Sequence, residues 1–146
     1  MRWIQSPSVA YAVLLDELDQ TYIMERAILP AIGGWCFSGG YTDYGETAAE
    51  TIVHETSGKA CIRIVGKKAK YLGQWFEPGP GVTVIGVLVR IKTADVDPFV
   101  PNKEATARRE VNLWDLEPEI LAFNSNRLAL AAAREVVRKE RAFEHP

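Results

Sequence analysis

The chain has 146 residues, of which 47% are hydrophobic and 25% are charged, and its formal net charge is −2. This composition fits one soluble domain with a buried core and excludes a nucleic-acid binder that works through bulk positive charge. Two cysteines, Cys36 and Cys61, are too few for a disulfide framework. Without a membrane-length apolar run or a signal-peptide pattern, we expect one domain over residues 1–146, in the cytoplasm, with no membrane partner.

The first half of the chain predicts two strands, a loop and a short helix. Residues 9–15 are apolar and β-prone, residues 22–26 alternate apolar and polar, and the acidic segment between them predicts a β-hairpin. Residues 29–46 are dense in glycine and aromatic side chains, which indicates a loop with short extended pieces. A short helix then follows, with Thr47 as its N-cap and Gly58 at its end.

The second half of the chain predicts three more strands and a long helix. Residues 60–65 alternate apolar and polar, residues 82–92 are β-branched and indicate a buried central strand, and residues 104–116 predict a strand that leads into a turn. Residues 126–141 form the longest predicted helix, with Ser125 as its N-cap. This order of elements predicts a mixed α+β domain.

The glycine-rich segment and the helix after it resemble the Nudix signature, G-x5-E-x7-R-E-U-x-E-E-x-G-U, in which U is aliphatic. In an alignment without gaps, four of the specified positions match: Gly40, Glu46, Glu55 and Ile62. The arginine, the first aliphatic residue, the paired glutamates and the last glycine are replaced, in that order, by His54, Thr56, Gly58, Lys59 and Cys61.

The sequence on both sides of this motif extends the resemblance. The stretch ERAILPAIGGWCFSGGYTDYGE is similar to the family's run of arginine, exposed loop, Trp-x-Leu-Pro-Gly-Gly and Gly-Glu, with Ser38 where proline is usual. The stretch EATARREVNLWDLEPEILAFNSNRLALAAA is similar to the family's last strand, turn and final helix. The resemblance covers residues 9–137 and implies the Nudix fold, a mixed β-sheet sandwiched between helices (α/β/α).

Nudix enzymes cleave a pyrophosphate linkage in nucleoside diphosphates joined to another group, with divalent metal ions held by helix carboxylates at positions i, i+3 and i+4. Here these positions are Glu55, Gly58 and Lys59, so one carboxylate is left and an ammonium stands among the metal ligands. Because that ammonium repels Mg²⁺, the resemblance implies a protein that binds ADP-ribose-like or dinucleotide-like molecules, with the Mg²⁺-dependent pyrophosphohydrolase activity weak or lost. The implied cofactor is Mg²⁺ or Mn²⁺ if the protein is active, and none otherwise.

The resemblance also nominates individual site residues, each with a plainer alternative. Glu55 and Glu46 are the candidate catalytic and metal-binding residues, although Glu55 is equally suited to a surface ion pair with Lys59, and Glu46 to structuring its loop. The candidate phosphate-binding or ligand-binding residues are Gly39, Gly40, Arg26 and Lys59. The glycines equally suit the tight loop of the fold, and the two basic residues suit the surface.

Two further positions stay open at the sequence level. His54 is either a general base or a replacement for the family's arginine, which pairs with a carboxylate of the loop. The family often takes one more acidic ligand from the late strand. The alignment without gaps puts Ala107 there, whereas Glu104 or Glu110 serves if the register shifts.

The residues therefore leave three functions to weigh. The first is a nucleotide-binding domain with little or no catalysis. The second is an active, divergent pyrophosphohydrolase with a rearranged metal site, and the third is a non-catalytic structural or interaction module, for which a homodimer is one form. In the first two, the partner is a small nucleotide-type molecule and not a nucleic acid.

Overall fold

Residues 7–144 are described in a computed structural model of the chain, so the two ends of the expected domain lie outside the described residues. The six strands are β1 (Ser8–Leu15), β2 (Gln20–Arg26), β3 (Trp35–Tyr41), β4 (Ala69–Glu77), β5 (Val82–Arg90) and β6 (Ala105–Asn112). The helices are α1 (Ala48–Glu55), a π-helical turn (Thr56–Ala60) that continues it, two short 3₁₀ turns (Thr93–Asp95 and Pro118–Ile120) and α2 (Asn124–Glu144). No helix in this part of the chain is long and apolar enough to cross a membrane.

The strands form one mixed sheet in the order β4-β5-β1-β3-β2-β6. Strand β1 runs parallel to β5 over its whole length and antiparallel to β3 on its other side. The predicted hairpin is therefore only partly right, because β3 lies between most of β1 and β2, which pair directly only at Leu15 and Thr21. The segment predicted as a loop supplies that inserted strand.

Each face of the sheet is covered by one of the two α-helices. Alternate side chains point to opposite faces of a strand, and β1 shows this directly. Ala12 and Leu14 pack in the same cluster as Ile52 of α1, whereas Leu15 packs with Leu130 of α2. The α/β/α architecture is confirmed, as is the amphipathic C-terminal helix, whose Leu130 and Val137 are fully buried.

The strand predicted over residues 60–65 is wrong, although its pattern of burial is right. Ala60, Ile62 and Ile64 are buried while Arg63 and Val65 are exposed. The backbone, however, forms one isolated bridge and a few loop hydrogen bonds to residues 95–97, and it does not join the sheet. Period-2 burial therefore does not by itself identify a strand, because Ala60 belongs to the π-helical turn, Cys61 is left-handed, and no strand of the sheet within residues 7–144 lies alongside.

Two predicted helix boundaries also change. Gly58 does not end the helix, because the π-helical turn continues through it. The helical turn ends at Cys61, which is left-handed, with φ of 59°. Ser125 is not the N-cap of α2, because it lies inside the first turn, where its N–H donates to the Glu77 carboxylate. A side chain distant in sequence therefore takes the capping role that the local pattern assigned to serine.

Thr47 is the N-cap of α1, as predicted, and it forms a reciprocal capping box with Glu50. We expect Thr47→Ala to lower the free energy of unfolding by about 1 kcal/mol, because the N–H of Glu50 loses its acceptor. Urea denaturation measures this change. Thr47→Ser keeps the hydroxyl and should lose much less, and equal losses in both variants would show that the capping bond contributes nothing.

Candidate functional site

A cavity of about 230 Å³ opens at one end of the sheet, where β3 ends and β1 and β5 begin. Val9 of β1 pairs with Tyr41 of β3 on one side and with Val84 of β5 on the other, and all three residues line the cavity. On one side it meets Glu55 of α1 and Lys59 of the π-helical turn. On the other side it is lined by the end of β4 and the start of α2, so residues from both faces of the sheet reach one space.

Three charged side chains form an ion-pair cluster at the side of the cavity that is next to α1 and the π-helical turn. The Lys59 ammonium lies 2.6 Å from Glu55 Oε2 and also pairs with the carboxylate of Glu104, the residue just before β6. Burial alone would lower the pKa of Lys59, but hydrogen bonds to Glu104 and Glu55 outweigh it and raise the pKa above its ordinary value. Lys59 therefore stays charged at neutral pH, and its charge is shared by two carboxylates.

This cluster does not fit a divalent metal ion as it stands. Glu55 and Glu104 are the two carboxylates that converge here, and the cation between them is the Lys59 ammonium. Gly58 has no side chain to offer a further oxygen ligand. A second cation near the ammonium would meet strong repulsion in this partly buried place.

The two glycines of the β3 end make close packing within the chain possible. A Cβ atom on Gly39 would lie 2.0 Å from the Ala10 carbonyl oxygen, and one on Gly40 would lie 2.7 Å from Cδ of Glu55. Gly39 thus allows β3 to approach β1, and Gly40 makes room for the Glu55 carboxylate. Both glycines also line the cavity, so the structural role and the proposed ligand contact coexist at these positions.

Arg26 lies at the cavity and holds the loop that follows β2. Its Nε donates to the Pro30 carbonyl oxygen at 2.7 Å, and a second guanidinium nitrogen donates to the Leu29 carbonyl oxygen at 3.3 Å. The guanidinium also stacks over the Phe123 ring, 5.0 Å from the ring centre. Arg26 is therefore fixed beside the cavity and brings positive charge to it.

Glu46 does not line the cavity with the other site candidates. Its Oε1 accepts hydrogen bonds from the Thr51 hydroxyl at 2.7 Å and from the Asp43 N–H at 3.2 Å, which lower the pKa of Glu46. Its Oε2 lies 3.9 Å from Nδ1 of His54. This distance is compatible with a histidine in place of the family's arginine. That role for His54 and a catalytic or metal-binding role for Glu46 both stay predictions.

A second group of ligand atoms lies near the start of α1. One atom each from Asp43, Glu46 and His54 lies within 4.8 Å of the others, close enough to share a metal ion. These side chains are exposed or half-buried, and only Asp43 borders the cavity. The arrangement equally suits a solvated loop whose carboxylates are already hydrogen-bonded.

The alignment without gaps did not select two carboxylates of the cavity. Glu104, offered by the sequence only if the register shifts, lies beside Lys59, whereas Ala107, the late-strand position of that alignment, lies within β6, opposite Glu25. A shift in register of three residues was the only signal for Glu104. Glu77, which is 8% exposed at the end of β4, was not a candidate at all, because no local pattern marks a carboxylate that is buried by a distant helix.

Comparisons with known proteins agree with this architecture. No family model matches the chain, and no curated protein matches it. A Nudix hydrolase from Nitrosomonas europaea is 17% identical, with a TM-score of 0.72, and the match covers 88% of this chain and 70% of that one. The chain has the Nudix fold. An Ap4A hydrolase from C. elegans in a binary complex is 17% identical (TM-score 0.73; coverage 90% and 98%).

A third similar structure is the Nudix domain of Shewanella oneidensis NrtR in complex with ADP ribose, at 16% identity. Its TM-score is 0.73, and the match covers 92% of this chain and 90% of that chain. The TM-scores show a shared fold, and at these low identities they show the fold alone, so the chemistry of this protein has to be argued from its own residues.

The ion-pair cluster gives a direct prediction about metal binding. Lys59→Met removes the ammonium but keeps a long side chain, which leaves Glu55 and Glu104 facing each other without a cation. We expect Mn²⁺ to bind this variant at least tenfold more tightly than it binds the wild type, because two carboxylates attract a hard divalent ion. Isothermal titration calorimetry measures the difference.

Lys59→Arg is the matched control for this experiment, since it keeps the positive charge and should bind no more Mn²⁺ than the wild type. Adding Glu104→Gln to Lys59→Met should remove the gained affinity, which separates this site from the group at Asp43. The prediction is wrong if the wild type and Lys59→Met bind Mn²⁺ equally well.

Proposed function

We propose that this Nudix-fold protein binds a nucleoside diphosphate derivative, such as ADP-ribose or a dinucleotide, and hydrolyses it weakly or not at all. The cavity supports this ligand class because apolar side chains line it together with two basic residues, Arg26 and Lys59. However, the charge of Lys59 is shared with Glu55 and Glu104, and two further carboxylates, Asp43 and Glu77, also line the cavity. Two similar structures, described as an Ap4A hydrolase and as a Nudix domain bound to ADP ribose, support the same class. The ligand's diphosphate would lie near the basic residues.

The observation that carries the second half of the proposal is the position of the Lys59 ammonium. Hydrolysis in Nudix enzymes needs divalent ions that offset phosphate charge and activate water. Here the two converging carboxylates, Glu55 and Glu104, already hold a cation that cannot bind and ionise a water molecule. Loss of such a group typically costs orders of magnitude in rate, so the protein is expected to bind its ligand without efficient turnover.

An active, divergent hydrolase is the second candidate, and one observation favours it. The ligand atoms of Asp43, Glu46 and His54 lie close enough to hold a metal ion, and Asp43 of this group borders the cavity. In that case Glu46 would be a metal ligand and Glu55 would be a base held by Lys59. Turnover and ligand-binding assays decide between the two functions.

We also propose the partner, the location and the cofactor of the protein. The partner is a small molecule, the protein works in the cytoplasm, and Mg²⁺ or Mn²⁺ is its cofactor only if it is active. The net charge of −2 supports a partner other than nucleic acid. A homodimer is compatible with this function and is not required by it, since the cavity is lined within one chain.

Two measurements test the proposal on wild-type protein. The first follows ADP-ribose, Ap4A, ATP and a nucleotide sugar by chromatography, with Mg²⁺ or Mn²⁺ present. The second measures thermal unfolding with the same ligands in EDTA, where a bound ligand raises the melting temperature. We expect little or no product and stabilisation by at least one diphosphate derivative, because the Lys59 ammonium is part of the fold and needs no added metal.

Glu55→Gln is the control for any turnover that appears. Strong turnover that disappears in this variant would overturn the claim of weak activity and would favour the divergent hydrolase. No stabilisation by any of the ligands, with or without metal, would contradict nucleotide binding itself and would leave the structural or interaction module as the better account.

A further inference from the structure

Glu77 is a buried carboxylate that borders the cavity and has unused hydrogen-bonding capacity. It is 8% exposed, and its Oε1 accepts the backbone N–H of Ser125 in the first turn of α2. Within residues 7–144, no hydrogen bond reaches its Oε2, which is not among the buried side-chain atoms that lack a partner and is therefore open to the cavity. Water or a donor group of a ligand can satisfy this oxygen.

The surroundings of Glu77 are apolar. It pairs across the β4–β5 ladder with Val82, and Val82 and Val84 form a small cluster with Val9. Phe123, just before α2, also lines the cavity, but it packs against the α1-face cluster and lies under the Arg26 guanidinium. A carboxylate oxygen beside apolar side chains, with Ser125 next to it in the lining, suits a flat heterocycle that carries an N–H donor, which is the chemistry of a nucleobase.

The two ends of the cavity lie on opposite faces of the sheet. Val9 and Val84 share the α2 side of their strands, whereas Gly40 meets Glu55 on the α1 side. The apolar end with Glu77 is therefore separate from the charged end with Lys59. A ligand with a base at one end and a diphosphate at the other matches this division.

We propose that Glu77 selects the base of the ligand by accepting a hydrogen bond from the exocyclic amino group of a purine through Oε2. This inference rests on the proposed nucleotide-binding function and adds the class of base to it. A carboxylate favours a base with an amino group at this position, because the donor satisfies its free oxygen. A base without that donor would displace water from this oxygen and leave it without a partner, so it would bind more weakly.

The test compares pairs of nucleotides that differ by one amino group. Calorimetry measures the Kd of ADP against purine riboside diphosphate, and of GDP against IDP, for the wild-type protein. We expect at least a tenfold weaker Kd for the member without the amino group in one of the two pairs. In Glu77→Gln the amide oxygen still accepts the Ser125 N–H, so its NH₂ group faces the ligand, and this discrimination should fall to less than threefold.

Glu119→Gln is the matched control, since this exposed glutamate lies outside the cavity lining and its loss should leave the discrimination intact. Equal affinities within both pairs for the wild type would overturn the inference, even if Glu77→Gln fails to fold. Discrimination that persists in a folded Glu77→Gln would overturn it as well. In either case tight nucleotide binding would leave the proposed function standing, whereas no binding of any nucleotide would remove both.

Discussion

The ion pairs of the Lys59 ammonium with Glu55 and Glu104 set the chemistry of the cavity. Much of the local structure serves this contact. Gly40 leaves room for the Glu55 carboxylate, and the π-helical turn carries Lys59 to it four residues further along the chain. Since an ammonium supplies one fixed positive charge and cannot activate water as a metal does, we propose that the arrangement favours binding over hydrolysis.

The cavity also depends on how the sheet ends. Because Gly39 lets β3 approach β1 closely, the strand ends form a continuous wall that reaches from the α1 face to the α2 face. Arg26 donates a hydrogen bond to the loop after β2, and its guanidinium stacks on the Phe123 ring. The site is therefore assembled from segments that are far apart in sequence, and each is held by contacts that also stabilise the fold.

The sequence predicted those parts of the molecule that depend on local patterns. The N-cap at Thr47, the β5 strand and α2 follow from spacing and residue type, and the resemblance of residues 9–137 led to the fold class. The alternation over residues 60–65 predicted burial correctly but not strand pairing, because pairing depends on which backbone lies alongside.

The site was predictable where it coincides with the motif and with the segment just before it, which contributes Arg26 and Gly39. Glu55 and Lys59 were found at i and i+4 of one helix, and their ion pair is the plainer alternative that the spacing allowed. Glu104 reaches this ion pair through the register of β6. Glu77 reaches the cavity through the packing of α2 on β4. Neither arrangement is encoded in a short sequence pattern. Long-range packing therefore decides which of the many carboxylates of the chain belong to the cavity.

The measurement that tests this account most directly is anomalous diffraction at the manganese edge from crystals of the wild-type protein grown with Mn²⁺ and ADP-ribose. The account predicts density for the ligand in the cavity, with its phosphates near Arg26 and Lys59, and no anomalous peak between Glu55 and Glu104. A strong manganese peak between these two carboxylates, with the Lys59 side chain displaced, would contradict the claim that the ammonium takes the place of the metal ion.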